Sequence, residues 1–153
     1  NNANILEEFI SMDNAYISDM VKNDEINSKT GDVKLINKFK VISATSTQLI
    51  EVSNLSITEK KLSTYDLLNY VIARDNDCIL ATGDNRLKIY SENNGIEVFR
   101  TLKIIKLMKK NNIISCRKAI NACKLLKQCS TTRIPEKDLD NLIDELEKDS
   151  VTV

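Results

Sequence analysis

The chain has 153 residues, a length suited to one domain with one core, and its 42% hydrophobic and 29% charged content is too apolar for disorder. Four Cys fit no CxxC pattern and there is no His, which argues against zinc binding, a catalytic triad and a histidine base. Formal net charge is zero, no apolar run approaches the roughly 20 residues that span a bilayer, and no signal peptide opens the sequence, so a soluble cytoplasmic protein is expected.

In chain order, Ile5, Leu6, Phe9 and Ile10 fall at helical spacing and predict a helix over residues 5 to 12. AYIS (15 to 18) reads as a short strand. Ser18 is then placed to cap a helix through MVKNDEI, with Glu25 on its second turn. Beyond Gly31, VKLINKF reads as helical, KVISA (40 to 44) as a second strand and TQLIEVSNL as a third helical pattern. In LSTYDLLNYVIARDND, Ser63 precedes apolar positions at Leu67, Leu68, Val71 and Ile72, with Asp66 three residues on, which is a capping box in its Asp form.

CILAT (78 to 82) is expected as a buried strand, DNRLKIYSENN (84 to 94) as a helix stopped by Gly95, and IEVF (96 to 99) as a fourth strand. Strands that alternate with helices imply a parallel sheet covered on both faces. From residue 101 the pattern is helical: TLKIIKLMKK, a break at Asn111 and Asn112, SCRKAINACKLLKQC, then PEKDLDNLIDELEK with Pro135 at the first helical position. The expected fold is α/β, a single domain with a parallel central sheet flanked by helices in residues 1 to 110 and a helical extension in residues 111 to 153.

Cys78 lies in an apolar run, and Cys116, Cys123 and Cys129 recur along one helical pattern, so buried free thiols are expected. Any chemistry then falls to carboxylates, lysines, hydroxyls or a hard metal. Residues 100 to 133 carry ten Lys and Arg, among them Lys103, Lys106, Lys109 and Lys110, with no Asp or Glu. Residues 134 to 150 reverse this, with seven acids against Lys137 and Lys148. Such a basic block suits a phosphate backbone, and it equally suits a solvated helical face matched to the acidic tail.

Glu25, Asp66 and Asp84 each follow closely on a strand end or a helix start, the places that converge at the carboxyl edge of a parallel sheet. Carboxylates gathered there repel one another unless a divalent cation sits between them, and oxygen ligands favour Mg²⁺ or Mn²⁺. The plainer alternative is that Asp66 and Asp84 cap helices and Glu25 is solvated. Spacing leaves both open.

The stretches LSTYDLLNYVIARDNDCILATGDNRL (62 to 87) and GIEVFRTL (95 to 102) resemble the second half of the PIN domain, where a serine-capped helix carries one acid and a strand ending in a Thr-x-Asp step carries another. Upstream, AYISDMVKNDEI resembles the PIN segment in which a short strand ends in Ser and a helix supplies a glutamate. The resemblance covers most of residues 5 to 110. It implies a Rossmann-like three-layer fold and a Mg²⁺- or Mn²⁺-dependent endoribonuclease, in a toxin and antitoxin setting with an antitoxin protein and a homodimer as partners. Glu25, Asp66 and Asp84 carry over as catalytic metal ligands, with Ser63, Thr82 and Asn85 supporting them. On that reading Lys103, Lys106, Lys109 and Lys110 follow the RNA backbone.

One departure stands out. PIN domains open with an apolar strand ending in Asp, and this chain starts at NNANILEEF, which resembles the region just after that strand. Asp13 is a poor substitute, being twelve residues from Glu25 and behind a helical pattern. The expectation is a chain lacking that strand, through truncation or because another segment supplies it, and a missing first ligand weakens metal binding. The competing function is a non-catalytic PIN-like module that binds RNA or protein. A haloacid-type phosphatase, faintly echoed by TGD before Asn85, requires an amino-terminal Asp-x-Asp nucleophile that the sequence does not contain.

Overall fold

The structure, a computed structural model, describes residues 3 to 26 and 37 to 151, with side chains for all of these except 24 to 26, 150 and 151. They form two compact units. One is Ala15–Thr101, and the other joins Asn1–Asn14 to Leu102–Val153. Where the sequence pattern draws a line at residue 110, the packing divides at Thr101, because the apolar face of the following helix belongs to the second unit's core.

In the unit Ala15–Thr101, β1 (Tyr16–Ser18) pairs in parallel with β2 (Lys40–Ile42), and β3 (Leu80–Ala81) pairs in parallel with β4 (Val98–Phe99). The fold is mixed α/β and mostly helical, and among the described residues its strands stay in two separate pairs. CILAT is not the buried strand expected. Only Leu80 is buried, while Ile79 is 49% exposed, because the β3 ladder has a single neighbour and ends after two residues. VKLINKF lies partly outside the described residues. The segment after β1 forms a π-helical turn, Val21–Ile26. Ser18 does not cap it; its hydroxyl donates instead to Asn69 Oδ1.

Helices hold this unit together. α2 (Ser46–Thr58) opens on a capping box between Thr45 and Gln48, and α3 (Thr64–Asp75) on the one expected between Ser63 and Asp66. α3 is buried on nearly every side through Leu67, Leu68, Tyr70, Val71, Ile72 and Ala73, which makes a helix rather than a strand the centre of the core. Asn76 and Asp77 then reverse the chain, Asp77 at φ +51°, and the Cys78 N–H returns to the Ala73 carbonyl at 2.8 Å. α4 (Asn85–Asn93) ends as expected, with Gly95 at φ +79° supplying the left-handed turn that a side chain would strain.

Two polar features of this unit yield predictions. Arg74 forks onto Glu51 at 2.6 and 2.8 Å and onto Asp75 Oδ1 at 2.9 and 2.7 Å, while Gln48 Nε2 donates to Asp75 Oδ2 at 2.9 Å. The Arg74 bonds hold the Glu51 carboxyl below its usual range, and the Gln48 amide, then Arg74, do the same for Asp75. Their folded-state values lie below the unfolded ones, so their stabilisation is complete above about pH 4 to 5 and fades as pH falls through the depressed values. Arg74→Lys, which keeps charge but loses the fork, is expected to cost about 1 kcal/mol at pH 7, since more than a third of the pair is in solvent. Urea unfolding at pH 7 and pH 3 should show that difference shrinking in acid.

Ser91 on α4 is fully buried with its hydroxyl unpaired among the described residues. Ser91→Ala removes an unsatisfied donor from the core and is expected to raise stability by about 1 kcal/mol. A drop in urea midpoint would show that the hydroxyl has a use.

The second unit is helical: α1 (Leu6–Ile10), α5 (Thr101–Lys110, joined from Leu102 on), α6 (Cys116–Gln128) and α7 (Glu136–Val151). Its core takes Ile105 and Met108 from α5, Ala119, Ala122, Cys123 and Leu126 from α6, and Leu139, Leu142 and Leu146 from α7, with Ile5 closing the amino-terminal side. These sit at three- and four-residue steps, one stripe per helix. All four cysteines are free, but only Cys123 is fully buried, and burial pushes its thiol pKa up to about 11. Cys116 opens α6 half-exposed, its Sγ donating to the Leu146 carbonyl at 2.9 Å. Cys78 and Cys129 are also half-buried, because each lies at an element boundary and not on a core stripe.

Candidate metal centre

Asp84 sits at the turn from β3 into α4. Its Oδ1 accepts the Arg86 and Leu87 N–H groups at 2.7 and 2.9 Å, and its own N–H donates to Thr82 Oγ1 at 3.1 Å. The capping role foreseen for it is therefore real, and its carboxylate is solvent-exposed. Asn85 is the exposed first residue of α4, and Thr82 is held by the same turn. Because β3 and β4 are parallel and in register at Leu80 and Val98, Arg100 emerges beside this turn and donates from Nη2 to the Gly83 carbonyl at 3.2 Å.

Asp66 lies in the first turn of α3, where Oδ2 accepts both the Ser63 N–H at 3.0 Å and the Ser63 hydroxyl at 2.7 Å. Asn76 and Asp77 turn the chain from the end of α3 into β3, at whose far end Asp84 stands. The Ser18 hydroxyl meets Asn69 at 3.0 Å, and Asn69 is three residues on from Asp66, on the same helix face. The carboxyl end of β1 therefore meets the first half of α3. Asp19 follows immediately, its Oδ1 accepting the Met20 N–H at 2.8 Å. Asp19 and Asn69 escaped the sequence reading, which counted Arg100 only within the basic block, yet Asp19 carries the same signal that drew attention to Asp84: an acid directly after a strand.

The side chain of Glu25 lies outside the described residues. Among the described residues, no three His, Cys, Asp or Glu side chains group closely enough to hold a metal ion. The candidate donors are carboxylate oxygens, a type that fits Mg²⁺ or Mn²⁺. Asp84 caps through Oδ1 and Asp66 through Oδ2, so in each the cap engages one oxygen of the two.

Part of the basic block is paired with the acidic helix. Lys106 meets Glu145 and Lys109 meets Asp149, both at 2.5 Å, while Lys127 meets Glu136 and Asp140 at 2.9 and 2.8 Å. Apart from Arg100, both halves of the charge pattern thus belong to one helical unit, in which α7 neutralises part of α5 and α6. Lys103 and Lys110 are exposed. No helix among the described residues is long and apolar enough to cross a membrane. No protein-family model, curated protein or solved structure matches the chain.

Proposed function

We propose that the chain is a metal-dependent endoribonuclease of PIN type that hydrolyses RNA phosphodiester bonds. The observation carrying this reading is Asp84 at the strand-to-helix turn after β3, with a second carboxylate, Asp66, in the first turn of α3, a helix of the same unit that contacts β3. Glu25, Asp66 and Asp84 would hold Mg²⁺ or Mn²⁺, with Ser63 fixing Asp66 and Thr82 and Asn85 flanking Asp84. A cation held there would polarise the phosphodiester and acidify a water. Asp19 follows β1 and would add a further carboxylate, and Arg100 follows β4 beside the Asp84 turn and would add a cation for phosphate.

The resemblance calls for one more strand, ending in Asp, at the centre of a three-layer fold. The two parallel pairs, both packed on α3, are what such a strand would join. The proposal extends to a toxin and antitoxin setting, with RNA, an antitoxin protein and a homodimer as partners, and to the cytoplasm, where four free thiols stay reduced. Incubating the purified protein with labelled RNA at increasing Mn²⁺, and again with a chelator, tests it: cleavage should need the metal.

A second reading, a non-catalytic PIN-like RNA- or protein-binding module, is favoured by one observation. Both described acids are already engaged in helix caps. RNA retained uncut at every metal concentration would select it.

A further inference from the structure

The unit containing α6 keeps a cationic groove that its own acids neutralise only at Lys118. A groove of about 550 Å³ is lined by Ser115, Arg117, Lys118, Ile120, Asn121 and Lys124. No carboxylate contributes to it. Lys118 pairs with Glu8, and the Ser115 hydroxyl accepts the Lys118 N–H, so these two are committed to the fold. Among the described residues, Arg117 and Lys124 meet no carboxylate, in contrast to Lys106, Lys109 and Lys127. Arg117, Asn121 and Lys124 are exposed and follow one another by four and three residues, which puts them in a row on one helix face about 10 Å long.

We infer that this row is the surface on which the protein holds the phosphodiester backbone of single-stranded RNA. The inference rests on the RNA reading proposed above and moves the contact from Lys106 and Lys109 on α5 to Arg117 and Lys124 on α6. Two cations with an amide between them match a strand of regularly spaced phosphates, which asks for charge and donors more than for apolar area. An acidic protein surface would want an apolar centre as well, and only Ile120 offers one here. A membrane would want a broad apolar face, whereas the apolar face of α6 (Ala119, Ala122, Cys123, Leu126) is spent in the core.

The test is the anisotropy of a fluorescent oligouridine titrated with the full chain in a chelating buffer, so that binding is read without cleavage. Arg117→Gln with Lys124→Gln should weaken binding about tenfold at low salt and flatten the slope of log affinity against log salt by about 1.4, the contribution of two phosphates on a single strand. Lys61→Gln with Lys137→Gln, which removes the same charge from other exposed positions, should leave affinity within about twofold. Equal losses in both double variants would overturn the proposal, since net charge alone would then govern binding. Polyglutamate or anionic vesicles binding as tightly as the RNA, or no RNA binding by the parent chain, would overturn it too. A chain that binds RNA through this row but never cuts it supports the groove while refuting the nuclease reading; one that cuts RNA with Arg117 and Lys124 replaced and affinity unchanged does the opposite.

Discussion

Asp84→Asn is expected to lower Mn²⁺-supported RNA cleavage roughly 100-fold or more while the protein stays folded. The substitution suits the question because Asn caps helices as well as Asp does, and its Oδ1 can still accept the Arg86 and Leu87 N–H groups. What it removes is the negative charge. Asp84→Ala would remove the cap too, at about 1 kcal/mol, and would mix stability with activity. A 100-fold loss corresponds to about 2.7 kcal/mol of transition-state stabilisation, which a lost metal ligand can account for and a lost cap cannot. Asp66→Asn should act in the same direction, since its amide oxygen can still accept from Ser63. Single-turnover rates over a Mn²⁺ titration, beside thermal melts, are the measurement. Wild-type rates in Asp84→Asn would sink Asp84 as a metal ligand and the PIN-type site with it.

Leu67→Ala carries the largest expected cost in stability. Leu67 is fully buried in the first turn of α3, the helix on which α2 and the strands of its unit pack. Truncation removes apolar contacts and leaves a cavity that a helix enclosed on nearly every side cannot close, for a loss of about 3 kcal/mol. In a chain of this size that is a fall of roughly 10 °C in Tm. Leu49→Ala on α2, at a position 43% exposed, should stay within about 0.5 kcal/mol. If the two variants melted alike, α3 would not be the centre of its core.

The helices were legible because their signals are local. Ser63 with Asp66, the left-handed Gly95 and Asn112, and the apolar steps of α6 and α7 each settle a boundary from a few neighbouring residues. The strands were less legible, since a ladder's length depends on its neighbours. KVISA and CILAT have the composition of strands, but among the described residues each pairs on one side only, and three and two residues remain. Asp66 and Asp84 were placed at the right junctions, and the cap that made each visible is also the role the geometry displays. Arg100 was read only as one cation of the basic block, because its closeness to Gly83 comes from the β3 and β4 register, which no local pattern encodes. The pairing of the acidic tail with the basic block was one of two readings the charge pattern allowed. Lys106 with Glu145 and Lys109 with Asp149, thirty-nine and forty residues apart, needed three dimensions to decide.

The order in which the chain leaves the ribosome bears unequally on the two units. Ala15–Thr101 is continuous, so every partner in its core has been made once residue 101 is out. The helical unit is split around it: Glu8 must wait for Lys118, 110 residues later, and Ile5 for a core it shares with Leu146. At about 5 to 20 residues per second that is several seconds during which the amino-terminal segment has no core to join. A nascent chain stalled with residue 110 just outside the ribosome should therefore hold a protease-resistant α3 and protease-sensitive residues 3 to 14, and the second should become protected only when α7 has emerged.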